Sequence, residues 1–136
     1  MKYLLDTNIV SEPTKRKPAE AVLHHIKRHA GQMVVASLSV HEMIHGIERL
    51  PEGRKKEVLE AYVTAIRATL PVIPYGERAA EWHAMERARL ERIGKTMPFI
   101  DGQIAAIAYV NDLTLVTANV RHFSAFDGLE VENWLE

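Results

Sequence analysis

The feature that most constrains this chain is a set of short apolar runs spaced out by longer amphipathic segments. Tyr3-Leu4-Leu5, Met33-Val34-Val35-Ala36, Val72-Ile73 and Leu113-Thr114-Leu115-Val116-Thr117 are too short for helices and lack the polar alternation of a half-solvated sheet. They read as strands buried on both faces. Glu130-Val131-Glu132 reads as an edge strand. The intervening segments carry helical periodicity. Ala19, Val22, Leu23, Ile26 and Ala30 follow Pro18 and end at Gly31. Ser37 or Ser39 is expected to cap a helix with the stripe Val40, Met43, Ile44, Ile47 and Leu50, stopped by Pro51. Val58 to Leu70 forms another helix. Glu77 to Ile93 has Trp82 and Met85 inward, and Phe99 to Val110 has Ile100, Ile104 and Ile107 inward. Strands alternating with helices predict an α/β fold, a three-layer α/β/α sandwich around a mainly parallel sheet. The 136 residues fit one domain, 1–136.

Composition narrows the chemistry. With 17 basic and 18 acidic residues the net charge is −1, so any nucleic-acid contact must come from local patches. No cysteine is present, which removes disulfides, thiolate metal sites and cysteine nucleophiles. No apolar run is long enough to span a membrane, and Asp6 comes too early for a secretory signal, so the expected location is cytoplasmic.

Sites in parallel sheets form at the carboxyl ends of strands, and here those ends carry Asp6 and Thr117-Ala118-Asn119. Two further acids stand near helix starts: Glu42, expected in the first turn after the second strand, and Asp101, before the Leu113–Thr117 strand. Each acid alone has an ordinary explanation, as an Asx turn or a favourable partner of a helix dipole. At about 100° per residue, Glu42 points roughly 135° from the centre of its helix's apolar stripe, toward solvent or a cleft. If the three converged, their mutual repulsion would call for a hard divalent cation, which could activate water and shield a phosphate.

In order and spacing, Tyr3–Asn8, Ser39–Gly46, Asp101–Ala106, Leu115–Asn119 and Gly128–Trp134 resemble a PIN domain, specifically the short VapC/FitB-like toxins of prokaryotic type II toxin–antitoxin pairs. The resemblance implies a metal-dependent endoribonuclease with Mg²⁺ or Mn²⁺ held by Asp6, Glu42 and Asp101. It aligns Asn119 with a fourth position that is often Asp, and Thr7 and Thr117 with hydroxyls that orient acids or water. It also implies RNA as substrate, a homodimer to which Trp82 lends surface, and a small DNA-binding antitoxin. Such a partner would fold along an apolar groove near the Val58–Leu70 helix and insert a basic side chain among the acids.

Two other readings compete. One is a catalytically silent RNA- or protein-binding module. The other is a zinc protease, because His41-Glu42-Met43-Ile44-His45 spells H-E-x-x-H, although no metzincin extension follows. The protease reading leaves Asp6 and Asp101 without a role. Lys15-Arg16-Lys17 and Arg54-Lys55-Lys56 are basic runs, ordinarily solvated faces. The candidates for phosphate contact are Arg87, Arg89, Arg92 and Lys95 beside the Gly94–Pro98 loop, with Arg16 and Lys17 soon after Asp6. His24, His25 and His29 are expected to be solvated, and Gly46 to admit a close neighbour to its helix.

Overall fold

The computed structural model describes residues 1–136. Five strands, β1 (Tyr3–Leu5), β2 (Met33–Ala36), β3 (Val72–Ile73), β4 (Thr114–Val116) and β5 (Val131–Glu132), form one sheet in the order β3-β2-β1-β4-β5. Every pairing is parallel, with Leu4 opposite Val34 on one side and Leu115 on the other. The chain therefore begins in the middle of the sheet, builds outward to β3, and then returns to β1's other flank.

That return divides the helices between the two faces. α1 (Thr7–Val10), α2 (Glu20–Arg28), α3 (Ser37–Glu48) and α4 (Arg54–Thr69) cover one face. α5 (Glu77–Arg92), α6 (Phe99–Val110) and α7 (Val120–Phe123) cover the other. The period of two along each strand sorts the core: Tyr3, Leu5, Val35 and Val116 pack with Ile9, Val22, Met43 and Val63, whereas Leu4, Val34 and Leu115 pack with Leu90, Ile104, Ile107 and Phe123. Because both faces are covered, the strands read as unbroken apolar runs.

Several details differ from the sequence reading. α3 starts at Ser37 directly after β2, so Glu42 stands in its second turn, and neither serine caps it; Ala36 holds the cap position. α4 begins at Arg54, because the charged residues Arg54 to Glu57 continue the helix without contributing to an apolar stripe. Met85 and Ile100 are exposed, and the inward face of α6 is instead Gly102 with Ile104 to Ala108. His25 and His29 are not free in solvent. Their rings stack on the buried Trp134 at centroid distances of 5.1 and 5.2 Å, and Tyr3 meets the same indole edge-on. Trp82 stacks on Tyr109 at 4.7 Å, so much of its surface is spent within its own chain. A Cβ on Gly46 would meet nothing within 4 Å, and the tight glycine is Gly102, where a Cβ would stand 2.2 Å from His83 Nε2.

Candidate active site

The sheet reverses its order of construction between β1 and β4, and the crevice at that switch point is where open parallel sheets place ligands. Asp6 follows β1 there, its amide donating to the Val116 carbonyl at 2.8 Å. Its carboxylate caps α1, with Oδ1 accepting from the Thr7 amide at 2.9 Å. Oδ2 accepts from the Thr117 hydroxyl at 2.8 Å, and Thr117 Oγ1 in turn accepts from the Asn119 amide at 3.1 Å. Asn8 Oδ1 accepts from the Ala118 amide at 3.3 Å, tying the two strand ends together.

Thr7 links this centre to α3. Its Oγ1 lies 2.7 Å from Glu42 Oε1 and 2.9 Å from Ser39 Oγ. A hydroxyl has one proton and an ionised carboxylate only accepts, so Thr7 donates to Glu42 and Ser39 donates to Thr7. Ser39, expected as a cap, is instead fully buried and orients Thr7. Asp101 comes from the first turn of α6, where His122 Nδ1 of α7 lies 3.3 Å from its Oδ2. Its neighbour Gly102 is buried against the edge of His83, whose Nδ1 lies 3.0 Å from the Tyr75 hydroxyl. That close approach sets how far α6 can sink toward α5, and thereby where Asp101 stands.

Asp6, Thr7, Asn8, Ser11, Glu42, Asp101, Ile104 and Asn119 line one cleft of about 310 Å³. Five of the six predicted site residues thus share a single surface, and the sixth, Thr117, supports Asp6 from beneath. Burial raises the Asp6 pKa above its ordinary value of 3.8; the bonds from Thr117 and Thr7 oppose that rise, and the charges of Asp101 and Glu42 add to it. A buried carboxylate facing two others is a poor resting state for anions alone and a good one beside a cation.

The donor set fits a hard divalent ion, since all three acids offer oxygen, the chain has no thiolate, and the one imidazole at hand, His122, bonds Asp101 from outside the cleft lining. The side chains as placed are not drawn together tightly enough for any three acids or imidazoles to hold one ion directly. An ion that keeps several of its own waters does not require that closeness. His41 and His45 stack on each other at 6.0 Å and are exposed on α3, outside the cleft. With Glu42 bonded to Thr7, the H-E-x-x-H helix gathers no third ligand.

Two of the phosphate-contact candidates, Arg87 and Arg89, and two residues of the basic runs, Lys15 and Lys56, are already engaged. Arg89 is held by Glu86 through two bonds of 2.8 and 2.9 Å and also donates to the Ala125 carbonyl. Arg87 lies over the Phe99 ring, Lys15 pairs with Glu12, and the buried Lys56 pairs with Glu52. Arg121, which charge-run reasoning passed over because it stands alone, lies next to the cleft. Its signal was position, two residues past Asn119 at the carboxyl end of β4. A second groove of about 350 Å³ opens from Thr7 and Glu42 between α3 and α4, floored by Met43, Ile47, Leu59 and Val63.

The family model for the PIN domain matches residues 3–129. Ribonuclease VapC2 of Haemophilus influenzae is 36% identical, over 99% of both chains. The tRNA(fMet)-specific endonuclease VapC of Shigella flexneri is 35% identical, over 98% of both. The crystal structure of DNA-bound VapBC from Salmonella typhimurium superposes with a TM-score of 0.87 at 30% identity, covering 98% of each chain. With these matches spanning almost its whole length and the acids at the switch point of the sheet, the chain belongs to the PIN domain family, in its VapC/FitB branch.

Proposed function

We propose that the chain is a divalent-metal-dependent endoribonuclease, the toxin half of a type II toxin–antitoxin pair. The observation that carries this reading is the meeting of Asp6, Glu42 and Asp101, from three segments far apart in sequence, on one cleft. Relatives over the full length of the chain are named ribonucleases, including one specific for tRNA(fMet).

Asp6, Glu42 and Asp101 would hold Mg²⁺ or Mn²⁺, which when bound supplies positive charge to the scissile phosphate and lowers the pKa of a water. Asp6 is fixed by Thr7 and Thr117, so its oxygens face the cleft without rotamer search. Glu42, anchored by Thr7, is placed to take a proton from an attacking water. Asn119 is a neutral group at the rim, able to orient water or a phosphate oxygen while adding no negative charge.

Purified protein should cut RNA with Mg²⁺ or Mn²⁺ and stop with EDTA. Asp6→Asn, Glu42→Gln and Asp101→Asn should each remove cutting, and His41→Ala or His45→Ala should leave most of it. Metal-independent cleavage, or full activity of the Asp6→Asn protein, overturns the reading. The silent binding module is disfavoured by the complete acid set, and would be restored if RNA bound tightly and was never cut.

Control of such an enzyme comes from a protein partner. The relative from Salmonella was crystallised as VapBC on DNA. The groove between α3 and α4 begins at Glu42 and Thr7, so a partner helix laid along Leu59, Tyr62 and Val63 would deliver a basic side chain to the acids. A homodimer is proposed as well, with the exposed Met85, Phe99 and Ile100 providing apolar surface; a monomer in light scattering at micromolar concentration would refute it.

A further inference from the structure

Next to the acidic cleft lies a larger groove, of about 580 Å³, that shares Asn119 with it. Its walls are the Ala118-Asn119 link after β4 and the start of α7, carrying Arg121 and His122, together with Asn133 and Glu136. The volume lies within the range of about 300–1,000 Å³ of built ligand sites. Three carboxylates repel a polyanion, so a nucleic-acid strand reaching them needs a cation close by that is not already neutralised. Arg121 meets that need: it is exposed and has no carboxylate within ion-pair distance, whereas Arg89, Lys15 and Lys56 are paired. The Asn119 amide offers a donor and an acceptor to a base edge, and the Asn133 amide offers its Nδ2 donors while its Oδ1 accepts from the Leu135 amide at 2.9 Å. The exposed His122 imidazole, whose Nδ1 lies 3.3 Å from Asp101 Oδ2, offers a flat face.

We propose that this groove is the subsite for the nucleotide next to the scissile phosphate of a single-stranded RNA, with Arg121 on its phosphodiester and Asn133 and His122 beside its base. The inference rests on the ribonuclease reading and extends it. Asn119, common to both cavities, marks the passage from one to the other. Glu136, in the same groove, repels phosphate and confines the strand's charge to the Arg121 side.

The test is binding of a fluorescein-labelled single-stranded RNA oligonucleotide to the Asp6→Asn protein, read by anisotropy across a salt series. Arg121→Ala should weaken binding about tenfold, as expected for loss of a hydrogen bond to a charged group. It should also flatten the slope of log K against log salt by about 0.7, the contribution of one single-strand phosphate. Arg121→Lys should restore most of the slope, and Glu136→Gln should tighten binding. Arg67→Ala, at the far end of α4, is the control for bulk charge. In the active protein, Asn133→Ala should change which nucleotide is preferred beside the cut. If Arg121→Ala leaves both affinity and slope unchanged while RNA is still cut in an Asp6-dependent way, the subsite is wrong and the ribonuclease reading stands. If the chain neither binds nor cuts RNA, both fall.

Discussion

Replacing Gly102 by Ala tests whether the packing beneath Asp101 sets the site. An added Cβ would sit 2.2 Å from His83 Nε2, 2.7 Å from Cδ2 and 3.1 Å from Cε1, so it meets the whole edge of a rigid ring. His83 is buried, bonded to Tyr75 at 3.0 Å and tilted against Phe99 at 4.9 Å, so displacing it sacrifices these contacts. Overpacking of this kind costs about 1–3 kcal/mol, and a broken Tyr75–His83 bond about 1 kcal/mol more. Ala for Gly inside a helix returns about 1 kcal/mol. The net loss is about 1–3 kcal/mol. For 136 residues the unfolding entropy makes each kcal/mol worth about 3.5 °C, so the thermal midpoint should fall by about 3–10 °C. Shortening the opposing side chain should relieve the clash: in the double variant with His83→Ala, the coupling should be at least about 1 kcal/mol. Differential scanning calorimetry on the four proteins of the cycle gives the answer, with RNA cleavage measured in parallel, since a displaced α6 carries Asp101 with it. Unchanged midpoint and unchanged cleavage for Gly102→Ala would refute the packing argument.

Asp6→Asn should raise the thermal midpoint by about 2–6 °C while abolishing cleavage, because it removes a buried charge that two other acids repel; a drop in midpoint would show that the charge is compensated in the free protein. Thr117→Val leaves Asp6 Oδ2 without its buried donor and should cost about 1–3 kcal/mol in urea denaturation. Burial lowers the pKa of both His83 and His29 from 6.5, so below pH 6.5 the unfolded chain binds more protons than the folded one. Stability should therefore fall as pH drops from 6.5 toward the lowered values. Asp6 acts with the opposite sign above pH 3.8, so the comparison is made in the Asp6→Asn protein by urea titration at pH 7.5 and 5.5; equal stabilities would contradict it.

The strands and long helices were legible because burial on both faces leaves an unmistakable run of apolar residues, and the acids because they stand at strand and helix ends. Less legible were groups whose role depends on contacts across the chain. Ser39 looks like a cap, yet it bonds Thr7, 32 residues away. His25 and His29 lie on a charged helix, but Trp134 from the far end of the chain covers them, a pairing no local pattern encodes. Gly46 and Gly102 are equivalent as letters, and only the approach of His83 separates them. The short α1 and α7 were missed because four residues carry no readable period.

Inserting β4 beside β1 only after β2 and β3 have been laid down also orders events during synthesis. Every residue of the groove between α3 and α4 has left the ribosome once Val63 has, whereas Asp6 gains Thr117, and the cleft gains Asn119, 54 to 56 residues later. At about 5–20 residues per second that interval is roughly 3–11 s. If the groove is where a partner docks, as proposed above, a partner already present in the cell would meet it on a nascent chain whose acidic cleft is still incomplete. The same sheet order that builds the cleft thus also completes it only after the groove.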